Sequence, residues 1–140
     1  MLLRIKLSNN FYLDEFACSC CSGIFHLRST SVDKLQILSD RINDLYPHPV
    51  SIILTSACRC ISHQKAIYKA RGKEPNLSSG HLFGIAFDIK LISNGERVLW
   101  EDNLIDIARE LFNGIGITES RRWIHVDIKD RKAEWSYKND

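Results

Sequence analysis

His81 and Asp88 lie in the run SSGHLFGIAFDIK (78–90), and His125 and Asp127 lie in WIHVDIK (123–129). Side chains alternate across a strand. In the first run, Ile85, Phe87 and Ile89 share one face, while Gly84, Ala86 and Asp88 share the other. In the second, Ile124, Val126 and Ile128 oppose Trp123, His125 and Asp127. Each run thus has an apolar face for a core and a second face on which ionisable groups stand beside small or aromatic ones. If the two strands are neighbours, Asp88, His125 and Asp127 share a surface. Gly84 lets the chain bend, so that His81 can turn back toward Asp88. Two imidazoles and a carboxylate, with no fourth protein ligand evident, are the donor set of a catalytic zinc, whose open position holds a water of lowered pKa. Taken singly, the pieces also fit a surface histidine and an ordinary half-buried strand. The coincidence of two polar exceptions is what favours a metal.

A second group of reactive side chains is the cysteines. They cluster as CSCC (Cys18, Cys20, Cys21) and CRC (Cys58, Cys60). Three states are open to them: reduced thiols, one disulfide between the groups, or a second, thiolate-bound metal. The spacing is not that of a zinc finger, and an odd count argues against a full disulfide framework.

The elements that must position these residues can be read from periodicity. Val32, Leu35, Leu38, Ile42 and Leu45 recur three to four apart, predicting a helix over 32–45 capped by Thr30 or Ser31 and ended by YPHP (46–49). FYLDEF (11–16) reads as a lead-in segment, VSIILT (50–55) as a buried strand, and 62–72 as a helix capped by Ser62 and closed by Gly72. GIAFDI (84–89) is a strand, followed by a turn at SNG (93–95). Residues 100–112 form an amphipathic helix with Leu104, Ile105, Ala108, Leu111 and Phe112 inward, ending near Asn113-Gly114. WIHVDIK is a strand, and AEWSY (133–137) adds a short last one. The expected fold is α+β, with helices on a mainly antiparallel sheet.

Composition limits the function classes. The chain has 140 residues, 44% hydrophobic and 26% charged, which fits one compact domain over 1–140, expected to be a monomer. Formal net charge is +2, from 19 basic and 17 acidic residues, too balanced to suggest nucleic acid or a membrane as partner. The basic cluster Lys65, Lys69, Arg71 and Lys73 reads as a solvated helix face. No apolar run approaches the roughly 20 residues of a spanning helix. The start, MLLRIKLSNN, lacks a secretory h-region and cleavage site, so synthesis in the cytoplasm is expected.

The run Ser79-Gly80-His81-Leu82-Phe83-Gly84-Ile85-Ala86-Phe87-Asp88 fits the pattern Ser-x-His-x-x-Gly-x-Ala-x-Asp at every fixed position. In this it resembles the zinc D-alanyl-D-alanine carboxypeptidase family, the LAS-type peptidoglycan peptidases that include phage endolysins. Trp123-Ile124-His125-Val126-Asp127 resembles that family's second motif in its His-x-Asp branch, and Thr55-Ser56-Ala57-Cys58-Arg59 resembles its Thr-Ser-Gly-Tyr-Arg element. FYLDEFACSCC and EWSY are similar to its ends, so the likeness spans nearly the whole chain.

The resemblance implies an LAS/hedgehog-type fold and Zn²⁺ held by His81, Asp88 and His125. Arg59 would steady an oxyanion or grip a substrate carboxylate, and Ser79 and Trp123 would help bind substrate. Other branches place a glutamate three residues before the last ligand. Here that residue is Arg122, with Ile124 in place of tryptophan, so the dipeptidase-type base is absent. Asp127, about 7 Å beyond His125 on the same strand face, is the expected general base. Its alternative role is to orient a ligand histidine. Glu119 is an outside candidate for the base. Cys58 and Cys60 flank Arg59 where the family carries other residues, and a thiol there could compete for zinc.

The implied substrate is a peptide of bacterial peptidoglycan, cut by carboxypeptidase or endopeptidase action in host lysis or as part of a virion. The alternatives are a binding module that keeps the fold but not catalysis, or a metal-dependent nuclease.

Overall fold

A computed structural model describes residues 4–24 and 26–138, so the apolar start at Met1–Leu3 lies outside the described residues. The lead-in segment makes a bridge between Lys6 and Tyr12 and one 3₁₀ turn, Leu13–Phe16, which plants Phe16 in the core. Helix α1 (Ser29–Asn43) buries Val32, Leu35, Leu38 and Ile42 as its spacing requires. Its cap differs from expectation. Arg28 stands at the N-cap without a side-chain bond, and Ser31 turns inward to donate its hydroxyl to Gly84 O at 3.0 Å. Leu45 lies past the helix end and is exposed. The Asn43 side chain ends the helix by bonding Ser39 O, Val50 O and Val50 N–H, which clasps the connection into the sheet.

Strand β1 (Ser51–Ser56) is an edge strand with Ile53 exposed, not the buried strand expected from its composition. Helix α2 (Ile61–Ala70) is capped by Cys60 rather than Ser62, with the Cys60 sulfur accepting from His63 N–H. Gly72 closes it at φ +66°. A 3₁₀ turn (Gly80–Phe83) leads into β2 (Ala86–Ser93), which reverses at Asn94-Gly95 into β3 (Glu96–Val98). Helix α3 (Asp102–Leu111) follows, then β4 (Gly114–Thr118), β5 (Ile124–Asp127) and β6 (Ala133–Tyr137). Neither β3 nor β4 is predicted by the sequence pattern.

The sheet runs β1-β2-β5-β4-β6, with β3 also paired to β2. Every pairing is antiparallel except β4 with β6. This is the expected α+β architecture on a mostly antiparallel sheet. Phe87, Ile89 and Leu91 of β2 and Ile124 and Val126 of β5 join the buried residues of α1 and α3 in one core. Trp100, fully buried, anchors the approach to α3 by donating its indole N–H to Ile89 O. The opposite sheet face is left for Asp88 and His125.

Candidate metal centre

β2 and β5 are neighbours, and their register sets Asp88 directly against His125. The adjacent β4 places Gly116 against His125 and Gly114 against Asp127. These glycines matter for space. A Cβ at Gly114 would come within 2.2 Å of the Asp127 carboxylate, and one at Gly116 within 2.6 Å of the Tyr137 ring.

His81 arrives from the 3₁₀ turn. Ser79 caps that turn by accepting the His81 N–H, and Gly84 ends it in the left-handed region at φ +67°. A side chain at Gly84 would also strike the His26 carbonyl oxygen at 2.2 Å. The chain thereby doubles back, and His81 reaches Asp88.

Three donor atoms converge. Asp88 Oδ1 lies 3.1 Å from His125 Nδ1 and 3.5 Å from His81 Nε2. One donor from each residue falls within 4.8 Å of the others. Four ligands about 2.0–2.1 Å from a zinc ion stand roughly 3.3–3.4 Å apart along the edges of their tetrahedron, so the spacing suits such an ion. The remaining ring nitrogens are already engaged. His81 Nδ1 is 2.9 Å from Ala57 O, and His125 Nε2 is 2.9 Å from Asp127 Oδ2. Partners of this kind fix tautomer and ring orientation in metal-binding histidines. They leave His81 Nε2 and His125 Nδ1 facing the common centre.

The three groups shift in different directions. Burial pushes the Asp88 carboxyl up, but its bonds to His125 and His81 outweigh that and hold it well below the usual range. Burial lowers His81, favouring the neutral ring that a metal needs. His125 is also pushed down by burial, but Asp127 and Asp88 more than offset this and raise it.

Asp127 is fully buried behind His125. Its Oδ1 accepts from Arg131 at 2.7 Å and from Lys129 N–H at 3.1 Å, and its Oδ2 accepts from Arg131 at 2.9 Å. With His125 on Oδ2 as well, both oxygens are occupied. Burial raises the Asp127 carboxyl, but His125 and Arg131 together bring it far below its ordinary value. A proton acceptor works best with a pKa near the working pH and an open lone pair. Asp127 has neither, and its placement suits the orienting role.

Arg59 lies at the cleft floor, held by Ser56 Oγ at 3.0 Å and Gln64 Oε1 at 3.1 Å, with Asp88 Oδ2 at 3.5 Å. Gln64 is itself buried and fixed to Asn76 O. A cleft of about 640 Å³ opens over this group, and Ser79 and Trp123 line it together with the other site residues foreseen in the sequence. Glu119 is not brought there. It is exposed and lines a neighbouring depression with Tyr137.

Sequence reasoning missed Arg131, Trp135 and Tyr137, which complete one wall. The Trp135 ring lies 5.1 Å from His125 and the Tyr137 ring 5.2 Å from Trp123. The alternation in AEWSY, which puts both aromatics on one face, was the available signal. Arg71, read as part of a solvated face, borders the cleft.

No curated protein sequence matches the chain. A family model described as Peptidase M15 matches residues 9–127, which contain every donor atom of this centre and agree with the resemblance carried by the 79–88 motif. The chain belongs to the Peptidase M15 family.

Proposed function

We propose that the chain is a single zinc-peptidase domain of LAS type that hydrolyses peptide bonds in bacterial peptidoglycan, as a D,D-carboxypeptidase or endopeptidase. The observation that carries this reading is the convergence of His81 Nε2, His125 Nδ1 and Asp88 Oδ1, with each histidine's other nitrogen already partnered. These three residues would hold the ion. When bound, zinc supplies a Lewis acid that polarises an amide carbonyl and acidifies water.

The chain's own residues do the rest. Arg59 is pre-oriented by Ser56 and Gln64, so its guanidinium can receive charge developing on a carbonyl oxygen or the carboxylate of a chain end without first reorganising. Arg71, Lys129 and Lys138 add positive charge around the cleft, while Asp127 is paired with Arg131 and Asp88 is engaged by His125 at its base. That balance favours an acidic peptide end, as a peptidoglycan stem offers. Trp123 and Tyr137 form an aromatic wall for the peptide body. Asp127 holds the His125 ring in place. Proton transfer by Asp127 itself would require Arg131 to leave it.

Purified walls provide the test. The zinc-loaded protein should release peptide or D-alanine products detectable by mass spectrometry, and His81→Ala should lose both bound metal at this centre and product. Sedimentation with walls without any cleavage would favour the binding-module alternative. Full wall cleavage by His81→Ala would overturn the proposal.

A further inference from the structure

Away from the cleft, the folded chain gathers four cysteines that are split between distant parts of the sequence. Cys18, Cys20 and Cys21 follow the 3₁₀ turn Leu13–Phe16, and Cys60 caps α2 some forty positions later. Sulfur separations are 3.4 Å for Cys18–Cys20, 3.3 Å for Cys20–Cys60 and 3.9 Å for Cys18–Cys60, and Cys21 falls within 4.8 Å of the set. Cys58, though adjacent in sequence, is buried elsewhere and is not part of it.

We infer that Cys18, Cys20, Cys21 and Cys60 form a second, structural metal site for a thiophilic divalent cation of the zinc type. Zinc–sulfur bonds of about 2.3 Å in a tetrahedron put the sulfurs roughly 3.8 Å apart, close to the spacings here. Two backbone amides already point at the sulfurs. Cys60 N–H donates to Cys18 Sγ, and His63 N–H donates to Cys60 Sγ. Amide donors of this kind favour thiolate over thiol, and the start of α2 adds the positive end of a helix at Cys60.

Four thiols at these separations can hold one divalent ion among them, and its binding would release their protons to solvent.

The four donors are all protein sulfurs, so the site is closed and structural rather than catalytic. It would pin the 17–22 loop to the residue that follows Arg59. The Arg59 backbone is in turn tied to His81 by Arg59 N–H to His81 O at 3.0 Å. The inference is independent of the peptidase reading, since it uses none of the cleft donors.

Native mass spectrometry of the full chain, loaded with zinc and desalted, should find one ion at each site. His81→Ala should keep the sulfur-bound ion, and Cys20→Ser/Cys60→Ser should lose it. Cobalt(II) in His81→Ala should give the thiolate-to-metal charge-transfer absorption of a tetrahedral sulfur site, absent from the double cysteine variant. If that variant does not fold, the unsubstituted chain still decides. Its clustered thiols should resist alkylation when zinc is bound and react once a chelator is added.

A cobalt spectrum without the thiolate band, or denaturing mass spectrometry that shows a disulfide within the cluster of the metal-loaded protein, would overturn the inference. A chain holding only the sulfur-bound ion would sink the peptidase reading and leave this one standing. A chain holding only the ion removed by His81→Ala would do the reverse.

Discussion

Asp127 shows how much a single side chain's surroundings decide. Its position two residues beyond His125 is compatible with either proton transfer or orientation. The Arg131 fork and the Lys129 amide favour orientation. In Asp127→Asn the amide oxygen can still accept from His125 Nε2–H, but the ion pair to Arg131 is lost. Zinc affinity should then fall about 10–100-fold, and turnover should return when zinc is supplied in excess. A proton-transfer role predicts the opposite: full occupancy with turnover down by roughly 10²–10⁴. A zinc titration of activity separates the two. For Arg59→Ala, kcat/KM should drop about 10²–10³-fold with the metal retained, as expected for loss of one pre-oriented charge donor. Arg59→Lys should recover little, because an ammonium cannot span Ser56, Gln64 and a substrate oxygen together. At this scale the sequence was informative where alternation isolates a residue, as for Asp88 and His125. It was silent on Arg131, whose role depends on a loop geometry that no spacing rule describes.

Among the elements, the 3₁₀ turn that carries His81 is the most exacting. Gly84 combines a left-handed backbone with a carbonyl at contact distance of where a side chain would begin. Gly84→Ala should destabilise the fold by about 1–3 kcal/mol, measurable in urea, and displace His81 enough to weaken metal binding. Strand β6 is tied to α3 by the Arg109–Glu134 fork at 2.8 and 3.0 Å. Arg109 holds the Glu134 carboxyl below its ordinary value of 4.5. Because the folded value is the lower one, this pair's support is present above about pH 4.5 and fades as pH falls through the folded value. Both groups are largely exposed, so the gain is at most about 1 kcal/mol. Glu134→Gln should flatten the acid limb of a stability–pH curve slightly and leave neutral activity unchanged. Most elements were legible because their apolar spacing was regular. β4 was not: GIGIT offers two glycines where strand formers are expected, and these are the positions kept empty for Asp127 and for Trp135 with Tyr137. The caps of α1 and α2 were missed for a related reason. Ser31 is used across the fold by Gly84 O, and Cys60 belongs to the sulfur cluster.

For the molecule as a whole, one sheet divides two environments, with the aromatic and aliphatic core on one side and the ionic cleft on the other. Phe87 and Asp88 are adjacent in sequence and face opposite ways. Phe87→Ala should therefore cost about 3–5 kcal/mol of stability while leaving the metal donors in place, so zinc content per folded molecule should stay unchanged. Ligand linkage gives a further check. An ion at 100 times its dissociation constant adds about 2.7 kcal/mol to the folded state, so a chelator should lower the melting temperature and zinc should restore it. The general architecture was readable from periodicity. The order of strands was not, because the parallel pairing of β4 with β6 joins segments that no local pattern links.

That pairing has a temporal side. Residues 133–137 are made after every candidate metal donor, yet they bring Trp135 beside the His125 ring, and the loop just before them delivers Arg131 to Asp127. A nascent chain halted at Ile128 would already own its three donor residues, but with the last donor ring unroofed and its supporting acid without a counter-charge. On this reading the candidate site is complete only once the last-made strand has joined the sheet.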